Sequence, residues 1–516
     1  MKFKGLLVGM MTCAALAACT NNDLVEDNGN QPLDGDAYVA VKLSMTGNGS
    51  SRAATLDGFQ DADANEIKVT SATFFFIGAD GNSCATPYTI EGNLLDPWTD
   101  KTGENTDAVS TPVIVMRNPT ATPASIVAIL NPTEAIKGKT TLYSLSQLQG
   151  MDLATDYRAV TAGNFVMSNS AYMDANGNQV IGAPVSAENI KTSENDLSNP
   201  VTIPVEKVVA KVAMAKGADV TGTNEGQTIT GSDKTTITAV IKGWWLDNTN
   251  PTSYLVKNVS NSWGYDWAND LTNKRSYWAN SATGTLEHAS YKDMTTAAKY
   301  CQENTSATDH TKMVVAAELQ VNGVATTLIK WFGNLYTEDG FKTQFANVSE
   351  VRQYYTCTNP DAAEGVEKEY KTLTKDNLDF AYNTNDDATV TDRDWQAVVK
   401  VKAATPQIYT ISNQVATPVD QATVNAALKG LATIKLWNGG KTYFFTDIEH
   451  HDALCGIVRN HLYNLTINSI TGLGTPVPNP DKVIIPEKPT DDENSYIAAE
   501  VEILSYKVVS QEVDLN

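Results

Sequence analysis

The chain is 516 residues long and carries a formal net charge of -22, with a pI of about 4.6. That length exceeds what one hydrophobic core serves, so two or more domains are expected. The acidic surplus repels nucleic acid and anionic membrane and suits an extracellular surface. Charged residues make up only 19% of the chain while Thr, Asn, Ala and Val abound, which points to an exported, β-rich protein.

The N-terminus reads as two removable pieces in series. Lys2 and Lys4 precede an apolar run from Gly5 to Ala15, which is too short to span a bilayer as a permanent helix. Leu16-Ala17-Ala18-Cys19 follows, the ending of a lipoprotein signal peptide over residues 1–18, with the thiol of Cys19 taking the lipid. The competing reading is an ordinary signal peptide cut nearby. Asn21, Asn22, Asp23, Glu26 and Asp27 form a solvated acidic tether. From Tyr38 to Met45, Val39, Val41, Leu43 and Met45 alternate with Lys42 and Ser44, the period of a half-buried strand. Gly47-Asn48-Gly49-Ser50-Ser51-Arg52 is a flexible, exposed loop directly behind it.

Short strands continue downstream. Ile67 to Ile77 is a strand in which Phe74, Phe75 and Phe76 are too apolar for a solvated face, and Gly78 to Gly81 turns the chain. Val113 to Met116 and Ile126 to Leu130 are interior strands, each followed by an Asn-Pro turn. Leu142 to Leu153 is expected as a short helix capped at Ser144. A domain boundary is expected near residue 200, beyond which Val201 to Met214 reads as one strand with one buried face. Thr235 to Leu246 and Lys312 to Leu319 are further strands, with another near Leu328. Tyr291 to Glu303 and Gln421 to Lys429 are the helix candidates. Pro476, Pro478, Pro480, Pro486 and Pro489 then make a semi-rigid exposed linker. The tail, Tyr496 to Leu515, is almost unbroken strand: Ala499, Val501 and Ile503 set one phase, Leu504, Tyr506 and Val508 another, and Val509, Val513 and Leu515 a third. Such a tail can fold onto its own domain or add to a neighbour's open sheet.

Several side-chain groups invite a chemical reading. Trp244, Trp245, Trp263, Trp267 and Trp278 could form a sugar platform, but read more readily as core. Glu449-His450-His451-Asp452 with His461 resembles a metal cluster, yet adjacent histidines on a strand face opposite ways. Asp57, Asp61 and Asp63 fit no EF-hand spacing. Cys84, Cys301, Cys357 and Cys455 are too scattered for a disulfide scaffold or a zinc site, so one or two disulfides or buried thiols are expected. No nucleophile elbow or phosphate loop occurs, so no enzyme, cofactor or metal is expected.

The residues resemble the major shaft subunits of type V fimbriae of anaerobic Gram-negative bacteria, most closely the short-fimbria type. The resemblance rests on Leu16 to Cys19, Ser51-Arg52-Ala53-Ala54, Val205 to Val212, Gly243-Trp244-Trp245-Leu246, Arg275 to Trp278, Tyr300 to Thr305, Gly456 to Tyr463 and Ser505 to Val509. It implies an all-β fold with minor helices, in two tandem transthyretin-like Greek-key β-sandwiches. The implied divisions are 1–18 signal peptide, 19–52 propeptide with a removable strand, 53–200 and 201–475 sandwiches (the second with insertions), and 476–516 linker and donor strand. It further implies export as an outer-membrane lipoprotein and cleavage between Arg52 and Ala53 by an arginine-specific protease. The strand carrying Val39, Val41, Leu43 and Met45 would leave, and the tail of the next copy would fill its place. Accessory tip and anchor subunits, and host or bacterial surface ligands, are the further partners, with adhesion and biofilm formation as the outcome. A tip or anchor subunit and a glycan-binding surface lipoprotein are the alternatives.

Overall fold

The computed structural model describes residues 36–44, 59–60, 66, 68–95, 109–110, 112–154, 157–158, 164–169, 172–173, 179–196, 198–216, 221–224, 229–230, 236–262, 276–279, 289–304, 306, 309–382, 396–431, 433–450, 457–483 and 496–506. Strands dominate, as the composition implies, and helices are few and short. Among the described residues no helix is long and apolar enough to cross a membrane.

The first sheet has as its path Ile190–Lys191, Ala37–Ser44, Val201–Lys207, Met167–Asn169, Pro123–Leu130, Val69–Gly78 and Ser83–Leu95. Its strands carry apolar side chains on both faces. Phe74 and Phe76 join Val39, Val41, Leu43, Ile114, Met116 and Ile203 on one face. Phe75, between them in sequence, packs with Val127, Ile129, Phe165 and Tyr300 on the other. That is why three consecutive phenylalanines are all buried. The two Asn-Pro turns have a conformational cause: Asn118 and Asn131 adopt φ of 41° and 48°, a left-handed geometry that asparagine tolerates best among side-chain-bearing residues.

Two further sheets face one another. One runs Phe59–Gln60, Tyr496–Tyr506, His461–Thr471, Val209–Lys216, Lys299–Gln302. The other runs Thr221–Asn224, Ile237–Asp247, Lys312–Val321, Lys441–Asp447, Thr475–Pro476. Val212, Tyr463 and Leu465 from the first meet Ala239, Trp244, Val315 and Phe444 from the second in one core. Gly243 has a steric reason: a Cβ there would lie 2.8 Å from the backbone of Met294, whose neighbour Thr295 accepts the Trp244 N–H at 2.9 Å.

The chain between the paired strands Lys312–Val321 and Lys441–Asp447 forms a unit with its own core. Its two sheets, one containing Leu328–Trp331 and Gln396–Val401, the other Tyr354–Cys357 and Ile408–Ser412, pack with helices Glu338–Ala346 and Gln421–Leu431.

Three expectations change. The strand expected over 201–214 is two strands in different sheets, Val201–Lys207 and Val209–Lys216, with Val208 alone between them. The helix expected over 142–153 is only Leu145–Gln149: Ser144 and Gln147 make its capping box, Gly150 ends it, and Asp152–Ala154 turns to strand. The helix expected over 291–303 is a single 3-10 turn at Tyr291–Asp293 followed by the strand Lys299–Gln302, all four of whose residues are buried.

Candidate functional site

The Ala37–Ser44 strand was legible from its alternation, and its setting gives the candidate site. Both of its edges are paired. Ala37–Ala40 lies antiparallel to Val113–Met116, and Tyr38–Val39 antiparallel to Ile190–Lys191 on the other side. Val41–Ser44 lies parallel to Val201–Pro204 and, at Leu43–Ser44, antiparallel to Val109–Ser110. Val39, Val41 and Leu43 are wholly buried, and Ala40 is nearly so. Taking this strand away would open a groove with two unsatisfied backbone edges and an apolar floor of Phe74, Phe76, Ile114 and Ile203. Met45, Arg52, Ala53 and Cys19 lie outside the described residues.

The tail strand, Tyr496–Tyr506, carries Ala499, Val501, Ile503, Leu504 and Tyr506; Val508, Val509, Val513 and Leu515 lie outside the described residues. It pairs antiparallel with His461–Thr471 of its own chain, from His461 opposite Ser505 to Thr471 opposite Tyr496. The pairing slips between Ile467 and Ser469, and Ser505–Tyr506 also receives Phe59–Gln60 in parallel on its other edge. In this state the tail is shelved on its own sandwich.

Between the first sheet and the sandwich, three motifs from distant parts of the sequence converge. Arg459, fully buried, gives Nη2 to Glu206 Oε1 at 2.9 Å and Nη1 to Glu303 Oε1 at 2.7 Å. Beside them Glu66 takes Lys211 Nζ at 2.8 Å, faces Lys207 Nζ at 3.9 Å and accepts from the Tyr300 hydroxyl. Burial opposes the charge on Arg459, but the two carboxylates outweigh it and raise its pKa. His461 Nδ1–H donates to the Arg459 carbonyl at 2.7 Å, holding the arm from behind. Val205–Val212, Tyr300–Thr305 and Gly456–Tyr463 thus each supply a member of one buried ionic joint.

The other sequence candidates resolve differently. Trp244 is fully buried in the sandwich core, as expected of core rather than of a sugar platform. Trp245 stacks against Lys299, whose Nζ lies 4.4 Å from its ring. Trp263, Trp267, His451, Asp452, Cys455, Asp57, Asp61 and Asp63 lie outside the described residues. His450 is buried and hydrogen-bonds Tyr463 through Nδ1 at 2.9 Å, so it serves the core beside the joint. Cys84, Cys301 and Cys357 are buried, and burial pushes the Cys84 thiol up to about 11, which keeps it unreactive. The ionic joint escaped residue-level reading because its members are far apart in sequence. The resemblance motifs were the only signal for it.

Residues 436–512 match the family described as "Major fimbrial subunit protein type IV, Fimbrillin, C-terminal". This part of the chain is similar to the C-terminal region of the fimbrillins. The match takes in the tail strand, the His461–Thr471 strand that holds it and the Arg459 arm. It supports a role as a fimbrial subunit at the cell surface, one that polymerises and assembles with other fimbrial proteins, and a structural rather than an enzymatic role. No curated protein matches the chain. Among solved structures the chain is similar to a protein assigned to cell adhesion from Parabacteroides distasonis ATCC 8503 (14% identity, 91% of this chain and 97% of that one, TM-score 0.39). It is similar also to one from Bacteroides eggerthii DSM 20697 (11%, 93% and 99%, 0.36). A third is the tip fimbrial protein Mfa3 from Porphyromonas gingivalis with C-terminal truncation (12%, 91% and 100%, 0.33).

Proposed function

We propose that the fimbrillin-type chain is a shaft subunit, exported as a lipoprotein on Cys19, cut after Arg52 and polymerised by donor-strand exchange, supporting adhesion and biofilm formation. The observation that carries this reading is the Ala37–Ser44 strand, buried and paired on both edges yet joined to the rest only through the Gly/Ser-rich stretch that ends in Arg52. Burying Val39, Val41 and Leu43 is worth about 5–9 kcal/mol at roughly 1.5–3 kcal/mol each. An open groove therefore demands a replacement strand. The tail offers one: its Ala499, Val501 and Ile503 repeat the spacing of Val39, Val41 and Leu43. Groove and tail lie on different parts of the subunit, so the contact is head-to-tail and propagates into a filament.

The test is to treat purified precursor with an arginine-specific protease and sequence the N-termini of any filaments. Wild type should form filaments beginning at Ala53, while Arg52→Ala stays monomeric and keeps both the strand and a fatty-acid label on Cys19. Filaments that still contain residues 37–44 would overturn strand removal, and equal label in Cys19→Ala would overturn the lipid assignment. Immunogold along the filament length, rather than only at one end, separates a shaft subunit from a tip subunit.

A further inference from the structure

We propose that His310, Asp447 and Glu449 form a binding site for a zinc-type divalent cation on the outer face of the second sandwich sheet. Lys312 pairs with Asp447 where the strands Lys312–Val321 and Lys441–Asp447 begin and end, and Thr311 accepts the Ile448 N–H at 2.8 Å one step further out. The two-residue period of extended chain then puts His310 and Lys312 on the same side as Asp447 and Glu449. That side also carries Val314 and Tyr443, away from the sandwich core.

The donor atoms of His310, Asp447 and Glu449 lie within 4.8 Å of one another. Neighbouring ligands around a tetrahedral zinc at about 2.0–2.1 Å stand roughly 3.4 Å apart, so a small rotation of the two half-exposed carboxylates closes the set. A second observation points inward. His310 is 94% buried, at 6% exposure, and its Nε2 has no hydrogen-bond partner. Its Nδ1 stands 3.5 Å from Glu449 Oε1, too far for a good hydrogen bond. A buried imidazole left so poorly satisfied is costly, and a cation held by Nδ1, the nitrogen that faces Glu449, would give that atom the partner it lacks. Two carboxylates facing one lysine leave the group one negative charge in surplus, and the mixed nitrogen and oxygen set favours zinc over calcium. Lys312 Nζ, 3.5 Å from Asp447 Oδ1, occupies part of the same field and competes with the cation.

Isothermal titration of the full chain, without any affinity tag and in a non-chelating buffer, tests the site with ZnCl2 and separately with CaCl2. Wild type should take up one zinc ion per chain and no calcium. Asp447→Asn and Glu449→Gln, both half-exposed and harmless to the core, should each weaken zinc by about tenfold or more. Lys312→Met should tighten it. His310→Gln should abolish it, with circular dichroism confirming the fold. No zinc uptake by wild type at about 100 µM, a level far weaker than structural zinc sites hold, would overturn the site. So would equal affinity in Asp447→Asn and Glu449→Gln, which would move the ion to other histidines.

Discussion

Arg459 is the residue whose loss should matter most to folding. Its guanidinium bridges Glu206 and Glu303, which lie 253 and 156 residues away in sequence. Arg459→Met would take the guanidinium away from two buried carboxylates, at a cost of about 3–5 kcal/mol. Urea unfolding at neutral pH should show that loss, and a change under about 1 kcal/mol would mean the joint is not an energetic one. Lys299 makes a different prediction. Burial against Trp244 and Trp245 lowers its pKa to about 8 from an ordinary value of 10.5. The unfolded chain then binds more protons than the folded one between those values, so this group adds stability as pH rises from about 8 to 10.5. Lys299→Met should remove that part of the slope and gain stability at pH 7. An unchanged pH profile of urea midpoints would refute the assignment. Neither residue announces itself in the sequence, because no local pattern distinguishes a lysine beneath a tryptophan from one in water.

At the scale of elements, alternation was the reliable signal. Val39, Val41 and Leu43 marked a strand, and a strand is there. Lys299–Gln302 escaped the same reading because four residues, all of them buried, are too few to show alternation. The strand exists because Val209–Val212 offers an edge for it, a case of tertiary pairing overriding local preference. The tail illustrates the opposite limit: its sequence demands burial without saying where. Its pairing with His461–Thr471 now fixes one expectation. Deleting residues 496–516 should leave a folded subunit that no longer polymerises and has lost a full ladder. A loss of about 1 kcal/mol would lower Tm by roughly 2–4 °C. Circular dichroism melts with and without an added peptide of residues 499–515 separate the possibilities. A peptide that restores the melt but binds protease-treated and untreated subunits equally would defeat the donor role.

For the whole molecule, the all-β class was legible from composition and short alternating runs, and the bulk of the strand-rich core lies where those runs are. The join between sheets was not. Val201 to Met214 has one continuous apolar-charged rhythm, and nothing in that rhythm marks Val208 as the place where the chain leaves one sheet for the next. The unit over 328–437 was hidden for another reason: it springs from a loop between two paired strands, and each of its elements is ordinary taken alone.

The single-residue join has a mechanical meaning. A pull along a head-to-tail polymer would enter a subunit through the groove wall at Val201–Pro204 and run straight along the backbone, past Val208, into Val209–Lys216. It would cross from there to His461–Thr471, which lies parallel to that strand and continues toward the tail. Among the described residues, this route as far as Thr471 runs through paired strands joined by Val208 alone. In the proposed polymer, tension would load hydrogen-bond ladders in shear, so the filament should respond stiffly at first and then yield by abrupt rupture of whole strands rather than by gradual stretching.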